Sequence, residues 1–479
     1  MSHTVEKIGG TSMSEYEAVR DNVILRNGSN EDVYNRIFVV SAYGGLTDLL
    51  LENKKNGQPG VYGLFANASN NDEPWIEALD ELRARIDDVN GELFGKSKLR
   101  KEADAFINQR LDETQAFLAD LQRLSKHGHF ELEAHLFTVR EMLASLGEAH
   151  SAWNMARLLQ RDGINARFID LSGWRADGAK PLDDVIRTKF ADLKLDEELP
   201  IVTGYAHCKE GLMGSFDRGY SEMTFSRIAV VTGAKEAIIH KEFHLSSADP
   251  RLVGADKAVP IGRTNYDVAD QLANLGMEAI HPRAAKGLRQ SDIPLRIKNT
   301  FDPEHQGTLI TGDYVSDKPC VEIIAGRKRL YSIELFDQDM MGDIERYDSG
   351  ILQAISRFKA HVVSKDLNAN TITHYVAGNL KTVNRIRKAL ETQYPDAEVN
   401  IRKIAVVSAI GSDMNVPGML TKTASALSSA NISVLAVHQS IRQVDMQFVI
   451  DEDDYELAIK SLHRYLVEVH EHGEAICAA

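Results

Sequence analysis

A lysine stands just ahead of a glycine pair near the start of this chain, in Lys7-Ile8-Gly9-Gly10-Thr11-Ser12. Those residue types have the makings of a phosphate cradle. The ammonium supplies a point charge, the glycines let backbone come close, and the first amides of a following helix attract anions. The same residues would also make an ordinary strand–turn–helix corner with an N-cap. A second turn of the same character, Ser41-Ala42-Tyr43-Gly44-Gly45-Leu46-Thr47-Asp48, follows the apolar run Ile37-Phe38-Val39-Val40. Open α/β sheets bind ligands at the carboxyl ends of buried strands, so two such loops point to a phosphate compound between them.

The elements that must position these loops follow from periodicity. Strands are predicted at Ile37–Val40, Ala166–Asp170, Ile201–Gly204 and Ala237–His240, interleaved with helices, which is the pattern of an α/β domain with a largely parallel sheet. Leu79, Leu82, Ile86, Val89 and Leu93 recur at helical spacing, as do Ile107, Leu111, Leu118 and Leu121 after a break. Gly91 to Ser97, in that break, imitates a Walker loop but has too few residues between its glycines and follows a helix, so it reads as a helix–helix connection. Arg140 to Gln160 is a further helix with Gly147-Glu148 at its middle. A mid-helix glycine costs about 1 kcal/mol relative to alanine and suggests a close approach, whereas Glu148 by residue type alone suits a solvated face. His240 and His244 straddle a strand and a loop and read as separate, non-ligating histidines. Beyond Ile297 two segments repeat a βαββαβ order, starting from strands Leu330–Phe336 and Ile404–Ala409, as expected of a pair of ferredoxin-like modules.

Composition sets the bounds. At 479 residues, 43% apolar and 26% charged, the chain is globular and too long for one core. Its net charge of -15 argues against a nucleic-acid or anionic-membrane binder. Cys208, Cys320 and Cys477 are scattered and odd in number, which suits a reducing cytoplasm better than a disulfide framework. No apolar run approaches the roughly 20 residues a bilayer span needs.

Taken together the motifs resemble an aspartate kinase of the amino-acid kinase family followed by two ACT domains. The resemblance rests on Lys7 to Ser12, on Val40-Ser41-Ala42 with Gly44 to Leu50, and on Gly147-Glu148. Asp217-Arg218-Gly219, Ala248-Asp249-Pro250-Arg251, Ile280-His281-Pro282, Asn299-Thr300 with Pro303, and Gly307-Thr308 continue it in the family's order. It implies an amino-acid-kinase-like (carbamate-kinase-like) α/β/α sandwich over 1–310 with a helical insertion at 73–135. ACT domains would follow at 319–395 and 403–470. The implied reaction is ATP-dependent phosphorylation of the β-carboxylate of L-aspartate, with Mg²⁺ accompanying ATP.

By resemblance, Lys7 and Glu222 are the catalytic residues. Lys7, Gly9, Gly10, Ser41, Gly44 and Gly45 hold the phosphates, and Ser247, Asp249 and Arg251 the adenine and ribose. Arg218 takes the α-carboxylate of aspartate and Glu148 its α-ammonium, with Ser12, Thr47 and Ser221 hydrogen-bonding nearby. The ACT pair implies a homo-oligomer and a lysine or threonine effector, although the first module lacks the usual Val-Asp followed by a hydroxyl-rich strand. Two departures stand out. Tyr220 and Glu222 replace a glycine and an aspartate of the family's pattern, and His240-Lys241-Glu242 replaces Trp-Thr-Asp. The latter stretch is similar to the aspartate kinases that accompany ectoine synthesis. The competing expectations are a kinase for another amino acid and a non-catalytic ACT sensor with a decayed kinase domain.

Overall fold

The computed structural model describes residues 2–468 except 27–32, 54–55, 69–72, 177, 217–218 and 278, with backbone only at 215–216. Of the sequence expectations, Arg218 and Cys477 lie outside the described residues. The chain divides into two compact units, Met1–His244 with Ile280–Gly312, and Leu245–Ala279 with Asp313–Ala479. Within the expected 1–310 span, Leu245–Ala279 packs with the carboxyl-terminal part.

The strands of the first unit are β1 (Thr4–Ile8), β2 (Arg36–Val40), β3 (Ala166–Ile169), β4 (Leu199–Thr203) and β5 (Glu236–Lys241). After β6 (Arg263–Asn265), which falls in the second unit, come β7 (Leu295–Asn299) and β8 (Thr308–Thr311). Their order is β3-β4-β2-β1-β5-β7-β8, parallel throughout except for β7 against β8. β1 and β2 are buried along their whole length, which explains the continuous apolar run Ile37–Val40 of β2.

β1 nevertheless carries two neighbouring charges. Side chains alternate along a strand, so Glu6 and Lys7 leave opposite faces of the sheet. Glu6 is fully buried and bonded by Arg36 at 2.7 and 3.0 Å, by Arg26 at 2.9 Å and by His240 Nε2 at 2.7 Å. Burial alone would raise its pKa, but the charge of Arg36, the hydrogen bonds from His240 and Arg36, and the charge of Arg26 hold it well below the usual carboxylate range. His240 is a partner of this carboxylate, and His244 separately meets Asp302 at 2.9 Å.

The helical insertion is a hairpin of Pro74–Phe94 and Lys98–Ser125. Gly95, in the left-handed region at φ 55, turns the chain, and Ser97 caps the second helix by accepting from Arg100 N at 3.2 Å. The Walker-like stretch is the connection it was read to be. The next helix, Glu133–Arg161, begins earlier than its apolar periodicity suggested.

In the second unit, β9 (Ile323–Phe336), β10 (His361–Asn368), β11 (Thr371–Ala377), β12 (Glu398–Ile410), β13 (Val434–Gln439) and β14 (Asp445–Asp451) form one antiparallel sheet, ordered β10-β11-β9-β12-β14-β13. The two modules are interlocked, where the repeat pattern predicted two in series. The first half of β9 pairs with the end of β12, whose other side faces β14, and the second half of β9 pairs with β11 and with the start of β12. Each module thus borrows its fourth strand from an element whose other half belongs to the other module. Ile261, Val268 and Leu272, from the stretch between β5 and β7, enter the same core as Val406, Phe448 and Leu462.

Replacing Arg36 with methionine would leave Glu6 buried without its main partner. It is expected to cost about 3–5 kcal/mol, read as a lower urea midpoint for the first unfolding transition.

Candidate active site

At the carboxyl end of β1 the chain turns at Gly9, which caps the short helix Gly10–Met13. Gly10 packs so closely that a Cβ would lie 2.8 Å from the Ala42 carbonyl oxygen, so the first loop touches the second only because this residue is glycine. Gly147 does the same from the other side, since a Cβ there would meet the Ala42 Cβ at 2.8 Å. The mid-helix glycine thus marks a close approach, as its cost suggested. It brings Glu148, one residue on, into the interior, where it is 2% exposed. Glu148 does not belong to a solvated face.

These contacts enclose a cleft of about 260 Å³. It is lined by Gly10 and Thr11, by the Ser41–Gly45 loop with Thr47 and Asp48, and by Glu148, Tyr220 and Ser221. Lys7, 7% exposed, stands 3.8 Å from Glu222 Oε1. Glu222 sits in the first turn of the helix Tyr220–Thr232, where the dipole favours an acid, and its Oε2 accepts from the His281 amide at 2.6 Å. Burial raises the Glu148 carboxyl well above its ordinary pKa, opposed by the charge of Lys7 and a hydrogen bond from the Tyr205 backbone. Its Oε2 has no partner among the described residues. An unpaired acceptor in an interior is costly, and a cationic ligand would relieve it.

Not every expected donor is free. The Gly9 amide donates to His240 O at 3.1 Å and the Ser41 amide to Ile8 O at 3.2 Å, each at a strand end where the backbone continues its ladder. The Gly44 amide donates to Ser14 Oγ at 3.1 Å. The anion donors are better sought at Gly10, Thr11 and Ser12, whose amides open a helix and have no carbonyl of that helix to meet. Ser12 is buried with its hydroxyl 2.9 Å from Thr300 Oγ1, which orients it.

Ser247, Asp249 and Arg251 belong to the second unit. There Ser247 is fully buried, its hydroxyl 2.9 Å from His463 Nε2 and accepting from Val259 N at 3.0 Å. This side chain, expected at the nucleotide, packs inside the second unit. Asp249 caps the turn Pro250–Val253 and pairs with the exposed Arg251 at 2.7 Å. Tyr220, in place of the glycine of the family's pattern, is 3% exposed and packs edge-on to Tyr205 with ring centres 5.8 Å apart. Residue types alone did not point to His281, Thr300 or Tyr205. Only the Ile280-His281-Pro282 and Asn299-Thr300 motifs hinted at the first two.

The amino acid kinase family matches residues 3–299, and an ACT domain matches residues 407–466, so the chain belongs to the amino acid kinase family. The aspartate kinase Ask_Ect of Stutzerimonas stutzeri is 57% identical over 477 residues, covering all of both chains. Aspartokinase 1 of Arabidopsis thaliana is 24% identical, over 97% of this chain and 80% of its own. Within the family, then, this chain is an aspartate kinase. Its fold matches that of Escherichia coli aspartokinase III, solved in complex with aspartate and ADP, at a TM-score of 0.71 and 20% identity over 97% of this chain and 100% of that one.

Gly147→Ala is the sharpest probe of the cleft, because neither Cβ has room to yield. Displacing Glu148 by a few tenths of an ångström is expected to lower kcat/KM for aspartate by about tenfold or more, measured at saturating ATP, with the protein still folded.

Proposed function

We propose that this aspartate kinase transfers the γ-phosphoryl group of ATP to the β-carboxylate of L-aspartate, giving 4-phospho-L-aspartate and ADP. An ionised carboxylate oxygen forms the new bond to phosphorus as the bond to the β-phosphate oxygen breaks, and no proton need move. The reaction needs alignment and a sink for the charge on the equatorial oxygens. Lys7 and the amides of Gly10 to Ser12 supply that sink. Glu222 holds the ammonium of Lys7 near the end of β1 until phosphate replaces it.

The observation that carries this reading is the buried Glu148 in the cleft lining, one of whose oxygens has no partner among the described residues. It is the receptor for the α-ammonium of aspartate. Arg218 takes the α-carboxylate in a bidentate grip, and Thr47 and Ser221 hydrogen-bond the substrate. Asp249 and Arg251 are the nucleotide's partners beyond the phosphates. Among the described residues no group of three His, Cys, Asp or Glu side chains is arranged to hold a metal. Mg²⁺ would accompany ATP and would neutralise part of the charge on its phosphates.

The ACT modules are proposed to assemble the chain into a homo-oligomer and to receive lysine or threonine. The likeness to Ask_Ect and the His240-Lys241-Glu242 stretch support a place ahead of ectoine synthesis. Among the described residues no helix is long and apolar enough to cross a membrane, in keeping with a cytoplasmic enzyme.

Purified protein with Mg-ATP, L-aspartate and hydroxylamine should yield aspartyl hydroxamate, and glutamate should not substitute. Lys7→Ala should lower kcat by about a hundredfold or more while retaining the fold; turnover near that of the parent would remove Lys7 from the phosphate site. The pH dependence of aspartate binding tests Glu148. Its carboxyl is held protonated to a higher pH than an ordinary glutamic acid, whereas the bound ammonium favours the carboxylate, so binding releases a proton. Affinity should rise with pH until the free enzyme's Glu148 has ionised and then level off, and Glu148→Gln should abolish that slope.

A further inference from the structure

Two turns before Glu148, on the same face of the Glu133–Arg161 helix, stands a second buried acid, Glu141, which is not part of the cleft lining. Each of its oxygens accepts from a residue far along the chain. The Met213 amide donates to Oε1 at 2.7 Å, and the Tyr205 hydroxyl donates to Oε2. Met213 and Tyr205 are themselves buried. Phe137, one turn earlier on that face, packs on the same segment: a Cβ at Gly211 or Gly214 would lie 3.0 or 2.9 Å from its ring. Gly211 is also in the left-handed region at φ 65, so a glycine suits that position on two counts.

These contacts bear on the opposite wall of the cleft. Residues 205–216 run from the end of β4 toward the helix Tyr220–Thr232, whose first turn holds Tyr220, Ser221 and Glu222. The Tyr205 ring, whose hydroxyl Glu141 holds, packs edge-on against Tyr220. Just ahead of it Gly204 lets two cleft residues converge, since a Cβ there would lie 2.7 Å from the Ser221 Cβ and 3.1 Å from Glu148 Oε1. Glu141 and Glu148 thus act from one helix face on one segment, the first fixing its course and the second lining the cleft beside it. A buried carboxyl costs stability unless its oxygens are satisfied, and both are satisfied here only when Met213 and Tyr205 arrive in this arrangement. An apolar side chain would fill the space with no such directional demand.

We propose that Glu141 is a positioning residue for aspartate recognition. By gripping the Met213 amide and the Tyr205 hydroxyl, it sets the course of residues 205–216 and so the placement of Ser221 relative to Glu148. This rests on the reading of Ser221 and Glu148 as aspartate-binding residues.

Glu141→Leu, Glu141→Gln and Tyr205→Phe are compared with the parent for kcat, for KM of aspartate and of ATP, and for amide hydrogen exchange of residues 205–216. Glu141→Leu should raise KM for aspartate about tenfold while kcat and KM for ATP stay within about threefold. It should also speed exchange of the Met213 amide. Glu141→Gln keeps an acceptor for that amide and offers Nε2 to the phenol oxygen, so every constant should lie within about twofold of the parent. Tyr205→Phe keeps the ring, and with it the fold, and cuts one bond of the two; KM for aspartate should rise about threefold. Added to Glu141→Leu it should change little, because both remove the same connection. A parental KM for aspartate in a folded Glu141→Leu protein would overturn the proposal, as would a Glu141→Gln protein as impaired as Glu141→Leu, or an equal rise in KM for ATP. Should Glu141→Leu not fold, a parental KM for aspartate in Tyr205→Phe overturns it. If Glu148→Gln leaves KM for aspartate unchanged, the reading of the cleft fails instead. Exchange of residues 205–216 then decides whether Glu141 holds the segment, parental exchange in Glu141→Leu counting against it.

Discussion

The buried charge of Glu6 is the constraint on which the arrangement of the site depends. A carboxylate in the centre of a parallel sheet is tolerable only with its partners in place, and Arg36 from β2, Arg26 from the segment before β2 and His240 from β5 surround it. That requirement pins β1 in register against both neighbours. A slip of one residue would turn Glu6 outward and swing Lys7 into the core. The structural charge therefore aims the functional one. The histidine that stands where the family places a tryptophan completes this cluster.

Around Lys7 the cleft is assembled by close approach. Gly10 and Gly147 both bear on Ala42, so two loops and one long helix meet at a single alanine. Their convergence buries Glu148 and leaves one of its oxygens without a partner among the described residues, an arrangement that costs free energy. The raised pKa of Glu148 and the ammonium-receptor role proposed for it have the same cause, which is removal from water. Tyr220 shows how a departure from the family's pattern is absorbed: its ring is buried against Tyr205 and leaves the cleft open.

The carboxyl-terminal unit obeys a different constraint. Antiparallel strands need partners on both edges or protection there, and the two modules meet that need by exchanging strand halves through β9 and β12. One sheet results where two were expected, and neither module is complete without the other. The stretch between β5 and β7 contributes apolar side chains to the same core, which ties residues next to the kinase motifs to the packing of the ACT modules.

The sequence by itself determined the strands, the helical hairpin, the glycine loops and the family, because hydrophobic period and turn residues are local properties that a linear reading captures. Lys7, the glycines and the mid-helix Gly147 were legible for the same reason, each being a residue type that its local backbone demands. Tertiary structure decided what depends on partners distant in sequence. It drew Glu148 inside, gave Glu6 its two arginines and His240, and occupied the Gly9, Ser41 and Gly44 amides that the resemblance had offered to phosphate. It also turned the Ser247 hydroxyl toward His463, 216 positions away, and made strands β9 and β12 common to both modules. Burial and pairing are properties of the neighbours that the fold brings up, and spacing along the chain does not contain them.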